Sequence, residues 1–509
     1  MSRNANEARR RRAGRAALSA VLLLGLPAAA RGDSLRAGFG VRSIVPSEEL
    51  LAEVWHTAGG KHPTGVLPGD GLWARAAYLE SNGRKLVIVS LDLLGLFHDD
   101  VVRIRDGIRA GLAPDVEVLV ASTHTHSSID TLGIYGPDEV TTGVNPDYQA
   151  FLRGEAVAAG IDAAAAAVPA SLWAAEQPAP SGLNEYDINR HPGSFDDGVH
   201  VLQFLDSSEA TIGTIVNWAS HPELIDPDSG SDPAIPPGGV VLSSDYVHTL
   251  RTRVEQSAGG TALFLNGPIG AVTALAMPIV DPETNEPFPR RSVAKAYYVG
   301  REIGTTALLA LASNEVIVDP APSLEIDSVV FDLPVDNPFI LALKAAQVLP
   351  RQTYAFGVPV PFGREVRTEM MRVRLGPVEL VSVPGELHPD VYTGGYLPRE
   401  ERANPDVPPE RPIRPQMGAP IHFVVGLGQD ELGYFVSATD FVRPSTISPV
   451  YGEGVDRHGH DHYQETLSLG RDTARSVGQQ ASILLGEVPE PDYLPFVGGF
   501  LDEDGKPLY

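Results

Sequence analysis

The stretch Val116-Glu117-Val118-Leu119-Val120-Ala121-Ser122-Thr123-His124-Thr125-His126-Ser127 organises the reading of this chain. Val116, Val118 and Val120 alternate with Glu117, Leu119 and Ala121, and β-branched residues in that pattern favour a strand. The strand runs into Thr-His-Thr-His-Ser. On an extended chain, residues two apart point the same way, so His124 and His126 are expected to face one side together. Two imidazoles on a stiff backbone suit a divalent metal, or one metal ligand beside one proton carrier. Taken alone, the pair could equally be two polar side chains capping a strand.

Upstream, Lys85 to Asp92 reads as a buried strand ending on a carboxylate. His98 to Leu112 has helical spacing, with Val101, Ile104, Ile108 and Leu112 on one face. Strand, helix and strand in that order indicate an α/β fold, with a large mixed sheet and flanking helices. Arg36 to Val45 and Gly71 to Leu79 are further strands. Tyr148 to Val168 is a long Ala-rich helix. Downstream, Val199 to Phe204 and Thr211 to Trp218 read as a strand pair, and the second ends in Asn217-Trp218-Ala219-Ser220-His221-Pro222. A second histidine thus sits where a strand stops. Asp245 to Gln256 and Arg291 to Ala312 are predicted helices, with the strand Thr261 to Leu265 and a Gly-rich turn from Asn266 between them. Met371 to Leu375 and Val378 to Val383 form a hairpin leading into Pro384-Gly385-Glu386. The strand Ile421 to Gly426 precedes Gly433-Tyr434-Phe435-Val436, and Gln464 to Leu485 is the last predicted helix.

Composition bounds the partners. The 509 residues include 43% hydrophobic and 20% charged residues, as a globular protein does. Net charge is −26, although the first 31 residues carry seven arginines against one glutamate. So acidic a body repels phosphate backbones, which argues against nucleic acid. Residues 1–31 read as a signal peptide: a basic region at Arg9 to Arg12 and Arg15, a short apolar run from Ala16 to Leu26, and small residues at Ala28-Ala29-Ala30. The paired arginines also suit a twin-arginine route. The expected location is secreted or periplasmic, with residues 32–509 as one large α/β unit. The chain has no cysteine, so any metal must be held by His, carboxylate or Tyr. A rival cluster, His458-Gly459-His460-Asp461-His462, presents three histidines at alternate positions. It lies in polar sequence with no evident strand leading into it; an exposed loop is its first reading and a secondary or adventitious metal site its second.

Taken together these segments resemble the neutral/alkaline (non-lysosomal) ceramidase family of zinc amidases. The resemblance runs in order from Gly38-Phe39-Gly40-Val41 through Val89-Ser90-Leu91-Asp92, Thr123 to Ser127, Asn189-Arg190, Asn217 to Pro222, Ser244-Asp245-Tyr246, Asn266-Gly267, Pro384-Gly385-Glu386 and Gly433 to Val436 to Tyr451-Gly452-Glu453-Gly454. It implies a zinc ion held by His124, His221, Glu386 and Tyr434, with His126 as acid/base and Arg190 and Tyr451 steadying the carbonyl oxygen. Such a metal acidifies a coordinated water for attack on a carbonyl. The implied reaction is hydrolysis of an N-acyl sphingosine or related N-acyl lipid to fatty acid and amine. Two departures stand out. Gly270-Ala271-Val272-Thr273 replaces the family's Gly-Asp-Val-Ser, so Thr273 stands where its serine would be. The chain also ends soon after the last helix, without room for the family's C-terminal immunoglobulin-like domain. Another amide or an ester as substrate, or a non-catalytic metal- or lipid-binding homologue, are the alternatives. Oligomeric state and contact with a membrane surface are left open by the sequence.

Overall fold

Three mixed β-sheets share one apolar centre, and helices pack on the outer side of each. The computed structural model describes residues 35–183, 195–272, 278–442, 454–459 and 461–487. The signal-peptide segment lies outside them, as do Arg190, Thr273, Tyr451 and His460.

The first sheet runs Val116–Ser122, Arg84–Leu91, Trp73–Ser81, Arg36–Ser43, Val168–Pro169. The second runs Thr261–Asn266, Thr211–Trp218, Gly198–Leu205, Ser171–Pro178, Ile317–Asp319. The third is built on Leu324–Pro334, Glu365–Leu375, Val378–Ser382 and Ile421–Val425. Each sheet contains one parallel pair: Arg84–Leu91 with Val116–Ser122, Thr211–Trp218 with Thr261–Asn266, and Val378–Ser382 with Ile421–Val425. The rest of each sheet is antiparallel.

The alternation of these strands explains the layering. One set of side chains, including Leu86, Leu119, Phe204, Leu263, Val373 and Phe423, points inward to a core shared by all three sheets. The opposite set in the first sheet, with Val87, Val89, Val118 and Val120, packs under the helices His98–Gly111 and Pro146–Ala165. The second sheet turns its other face to Tyr246–Ala258 and Val293–Leu311. At about 1.5–3 kcal/mol per fully buried aliphatic or aromatic side chain, this shared core is the dominant cohesive term.

The helices begin where local chemistry starts them. Asn145 accepts from the Asp147 and Tyr148 amides, with Pro146 at the first turn, and Ser292 accepts from the Lys295 amide. Gly38 and Gly40 let the Ala-rich helix sit directly on the strand Arg36–Ser43. A Cβ at Gly40 would lie 2.3 Å from the Ala159 carbonyl oxygen, and one at Gly38 would lie 2.2 Å from that of Ala163. The last helix is shorter than its spacing predicts. A 3-10 turn, Gln464–Leu467, precedes a break at Gly470, and the α-helix covers only Thr473–Leu484. No helix among the described residues is long and apolar enough to cross a membrane.

Candidate active site

The carboxyl ends of the three parallel pairs converge, and each supplies side chains to one site. The strand Val116–Ser122 leads to His124 and His126, Thr211–Trp218 leads to His221, and Val378–Ser382 leads to Glu386. This is where α/β sheets generally place a ligand crevice. Buried asparagines lock the three exits together. Asn266 Nδ2 donates to the carbonyls of Thr123 and Ser220, at 3.0 and 3.2 Å, and the Gly426 amide donates to the Asn266 carbonyl at 3.0 Å. Asn217 Nδ2 donates to Leu265, Asn266 and Val424, each at 3.1 Å. Behind the first exit, Asp92 forms a bidentate pair with Arg251, at 3.0 and 2.8 Å, and both are buried. Removing one partner of such a pair costs about 3–5 kcal/mol, whereas its net contribution is small, so it specifies geometry more than it adds stability.

His124 and His126 do face one another's neighbourhood, but not for the reason their spacing suggests. The strand stops at Ser122, and His124 has φ +70°, in the left-handed region. This kink, rather than an extended chain, brings the rings together with centroids 4.9 Å apart. The His221 ring lies 4.8 Å from His124 and 5.7 Å from His126. Candidate ligand atoms of the three imidazoles all lie within 4.8 Å of one another.

Two of these rings are pinned from behind. His124 Nδ1 donates to the Leu94 carbonyl at 2.6 Å, and His221 Nδ1 donates to the Val272 carbonyl at 2.5 Å. That commits each proton to Nδ1 and aims Nε2 at the centre, the arrangement that orients ligating imidazoles. Glu386 Oε2 stands 3.0 Å from His221 Nε2 and 3.6 Å from His124 Nε2. His126 Nε2 is buried and has no hydrogen-bond partner.

Glu386 and Tyr434 are brought together by register. The short strands Glu386–Leu387 and Tyr434–Phe435 are parallel, with Glu386 opposite Tyr434, so the two side chains share a face. The turn from Asn266 packs against this strand. A Cβ on Gly270 would lie 2.4 Å from the Glu386 carbonyl oxygen, so a side chain there would push the carboxylate strand away.

Burial sets the protonation states. It pushes His124 down to about 3 and His126 well below its ordinary range, with the neighbouring imidazoles adding to both shifts. Arg291 adds further positive charge near His126, and it is itself paired with Glu223 at 2.9 Å. Burial would also lower His221, but its hydrogen bond to Glu386 and that carboxylate's charge outweigh it and the shift is upward. Tyr434 is held well above the usual phenol range by burial first and then by Glu386, so it keeps its proton.

His124, His126, Glu386 and Tyr434 line part of a cavity of about 110 Å³. Its other walls are largely aliphatic, with Leu94, Leu132, Leu343 and Leu349 among them. Glu431 also reaches this cavity. It accepts from the Gly433 amide through one oxygen, while its other oxygen is buried and unpartnered, and burial with the nearby Glu386 raises its pKa well above normal.

The structure resembles solved ceramidase structures. Crystal structure analysis of neutral ceramidase from Pseudomonas aeruginosa gives a TM-score of 0.62 at 16% identity, covering 92% of this chain and 79% of that one. The fold is neutral-ceramidase-like. A ceramidase complexed with C2 matches with a TM-score of 0.58, again at 16% identity, over 92% of this chain and 80% of the other. No protein-family model matches the chain, and no curated protein sequence matches it.

The structure therefore places His124, His126, His221, Glu386 and Tyr434 together, while the other three sequence candidates fall outside the described residues. The rival histidine cluster needs correction. His458 is exposed, but His462 is buried, on a two-residue strand Asp461–His462 paired with Gly454–Val455. Its ring stands 3.4 Å from Asp456 and 3.2 Å from Glu465, and Asp440, Asp456 and His462 group closely enough to hold a cation. The next residue, Tyr463, packs edge-on against Tyr434 with centroids 5.8 Å apart. Sequence reading missed the carbonyls of Leu94 and Val272, which carry no residue-type signal, and missed Glu431 and Arg291, which only proximity reveals.

Proposed function

We propose that the protein is an exported zinc-dependent hydrolase that cleaves the amide bond of an N-acyl lipid to a fatty acid and an amine. The observation that carries this is the convergence of backbone-oriented imidazoles and a carboxylate on one side of an apolar cavity. The donor set fits zinc, which takes His nitrogen and carboxylate oxygen. His124 and His221 would hold the ion through Nε2, Glu386 through Oε2, and Tyr434 through its phenolic oxygen. Zinc held there supplies Lewis acidity and lowers the pKa of a coordinated water toward neutrality.

The chain's own groups do the rest. The unpartnered Nε2 of His126 can accept a proton and return it to the leaving amine. Its depressed pKa keeps it in the base form at neutral pH. The aliphatic walls suit an acyl chain and exclude water from the reacting carbonyl. Arg190, Tyr451 and Thr273 remain assigned, as the sequence resemblance implies, to holding the carbonyl oxygen and the substrate. Export rests on the basic and apolar N-terminal segment.

Because the fold is shared with proteins named ceramidases, N-acyl sphingosine is the first substrate to test. Purified protein is expected to carry stoichiometric zinc and to release fatty acid from a fluorescent N-acyl sphingosine or another N-acyl amide. Chelation should abolish turnover and added zinc restore it. Chelator-insensitive turnover would remove the metal from the reaction. Silence across a panel of amides and esters would favour a non-catalytic metal- or lipid-binding homologue.

A further inference from the structure

One charged group in the cavity has no role in the hydrolysis described above. Lys344 lies on the helix Pro338–Ala345, and Ile340, Leu343 and Lys344 of that helix line the cavity. Lys344 is 8% exposed, and its Nζ is buried without a hydrogen-bond partner. No acidic oxygen among the described residues lies within hydrogen-bonding reach of it.

The contrast with Arg351, the other cation of this cavity, is direct. Arg351 is neutralised by Asp430 through contacts of 3.2 and 3.0 Å, and it stacks over Phe97 at 4.9 Å. Asp99 is the carboxylate whose charge favours protonated Lys344, but it does not pair with it. Desolvation followed by the charge of Arg351 lowers Lys344 to about 8, which still leaves it largely protonated at neutral pH. A buried ammonium without a partner is costly, and retaining one beside Ile340 and Leu343 in the cavity wall makes sense when a ligand completes the pair.

We infer that the cavity takes an N-acyl amide that carries a carboxylate, with Lys344 as the counter-ion that selects it. This rests on the amide-hydrolase reading of the same site and narrows its substrate class from neutral N-acyl lipids to anionic ones. The carboxylate can sit on the amine portion, as in an N-acyl amino acid, or at the far end of the acyl chain. The two placements demand different separations between the ammonium and the histidines, so only one of them can fit the cavity.

The test compares N-dodecanoylglycine and the mono-ethanolamide of dodecanedioic acid with neutral N-dodecanoylethanolamine. Wild-type enzyme should favour one of the two carboxylates over the neutral amide by about tenfold or more in kcat/KM, the scale of a charge-assisted hydrogen bond. Which carboxylate wins locates the charge. Lys344→Met should bring the ratio close to one, and Lys344→Arg should keep most of it. Competition of the same three compounds against a fluorescent fatty acid gives a readout that needs no turnover, and the carboxylate advantage should again depend on Lys344. An equal ratio in wild type and Lys344→Met, or a wild-type preference for the neutral amide, overturns the inference while leaving the hydrolase intact. Lys344-dependent binding of the carboxylates without hydrolysis of any amide supports the inference and overturns the hydrolase instead.

Discussion

His124 stores backbone strain at the point where the chemistry is expected. A non-glycine residue at φ +70° costs on the order of 1–3 kcal/mol, and it persists because neighbouring groups over-determine it. The amides of Thr123 and His124 donate to Leu91 and Leu93, each at 2.8 Å, and the ring donates to Leu94. The strain aims Nε2 at His221 and Glu386. His126 has no comparable tether on its buried Nε2, which suits a group that exchanges protons. His124→Ala is therefore expected to lose zinc and activity together. His126→Ala should retain zinc by elemental analysis and lose activity by about 10²–10⁴-fold. Loss of zinc from His126→Ala would make it a third imidazole ligand, which the mutual distances of the three rings permit. Full zinc and full rate in both variants would discard the assignment.

At the scale of elements, two kinds of contact hold the site in place. One is the register of Glu386–Leu387 against Tyr434–Phe435, which fixes carboxylate and phenol as neighbours through backbone pairing. The other is the seating of the helix Pro146–Ala165 on the strand Arg36–Ser43 at Gly38 and Gly40. Two substitutions probe that seating. Gly40→Val forces the helix off the sheet and is expected to destabilise by about 2 kcal/mol or more. Gly154→Ala, on the exposed side of the same helix with nothing near its Cβ, should stabilise by about 0.5–1 kcal/mol. Denaturant unfolding reads both. Equal effects from the two would show that helix seating is not set by these close approaches.

For the whole molecule, buried polar groups tie segments distant in sequence together alongside the shared core, and one of these groups titrates. His56 is fully buried, accepts from the Ala58 amide at 2.8 Å, and pairs through Nε2 with the Val241 carbonyl at 3.0 Å. Burial pushes it down to about 4. A folded pKa below the unfolded value near 6.5 means that the unfolded chain binds the proton first as pH falls. Stability from this group is therefore full above about 6.5 and lost as pH drops toward 4, by about 2 kcal/mol at pH 5. His56→Gln should be less stable at pH 7 but lack that part of the slope in urea unfolding. Identical pH profiles would refute the assignment. Much of this molecule was legible in the chain itself. Alternation marked Lys85 to Asp92 and Thr211 to Trp218, helical spacing marked His98 to Leu112, and Thr123 to Ser127 stood out as chemistry on a strand end. These are local signals, set by pleat and helix period. The strand Ser171–Pro178 and the helix Pro338–Ala345 carry weaker periodicity and were not picked out. Only the tertiary structure decided that His221 and Glu386 meet His124, that His462 is buried among carboxylates, and that Lys344 stands unpaired in the cavity wall. Each is a contact between residues far apart in sequence, closed by sheet packing and strand register, and no spacing along the chain encodes it.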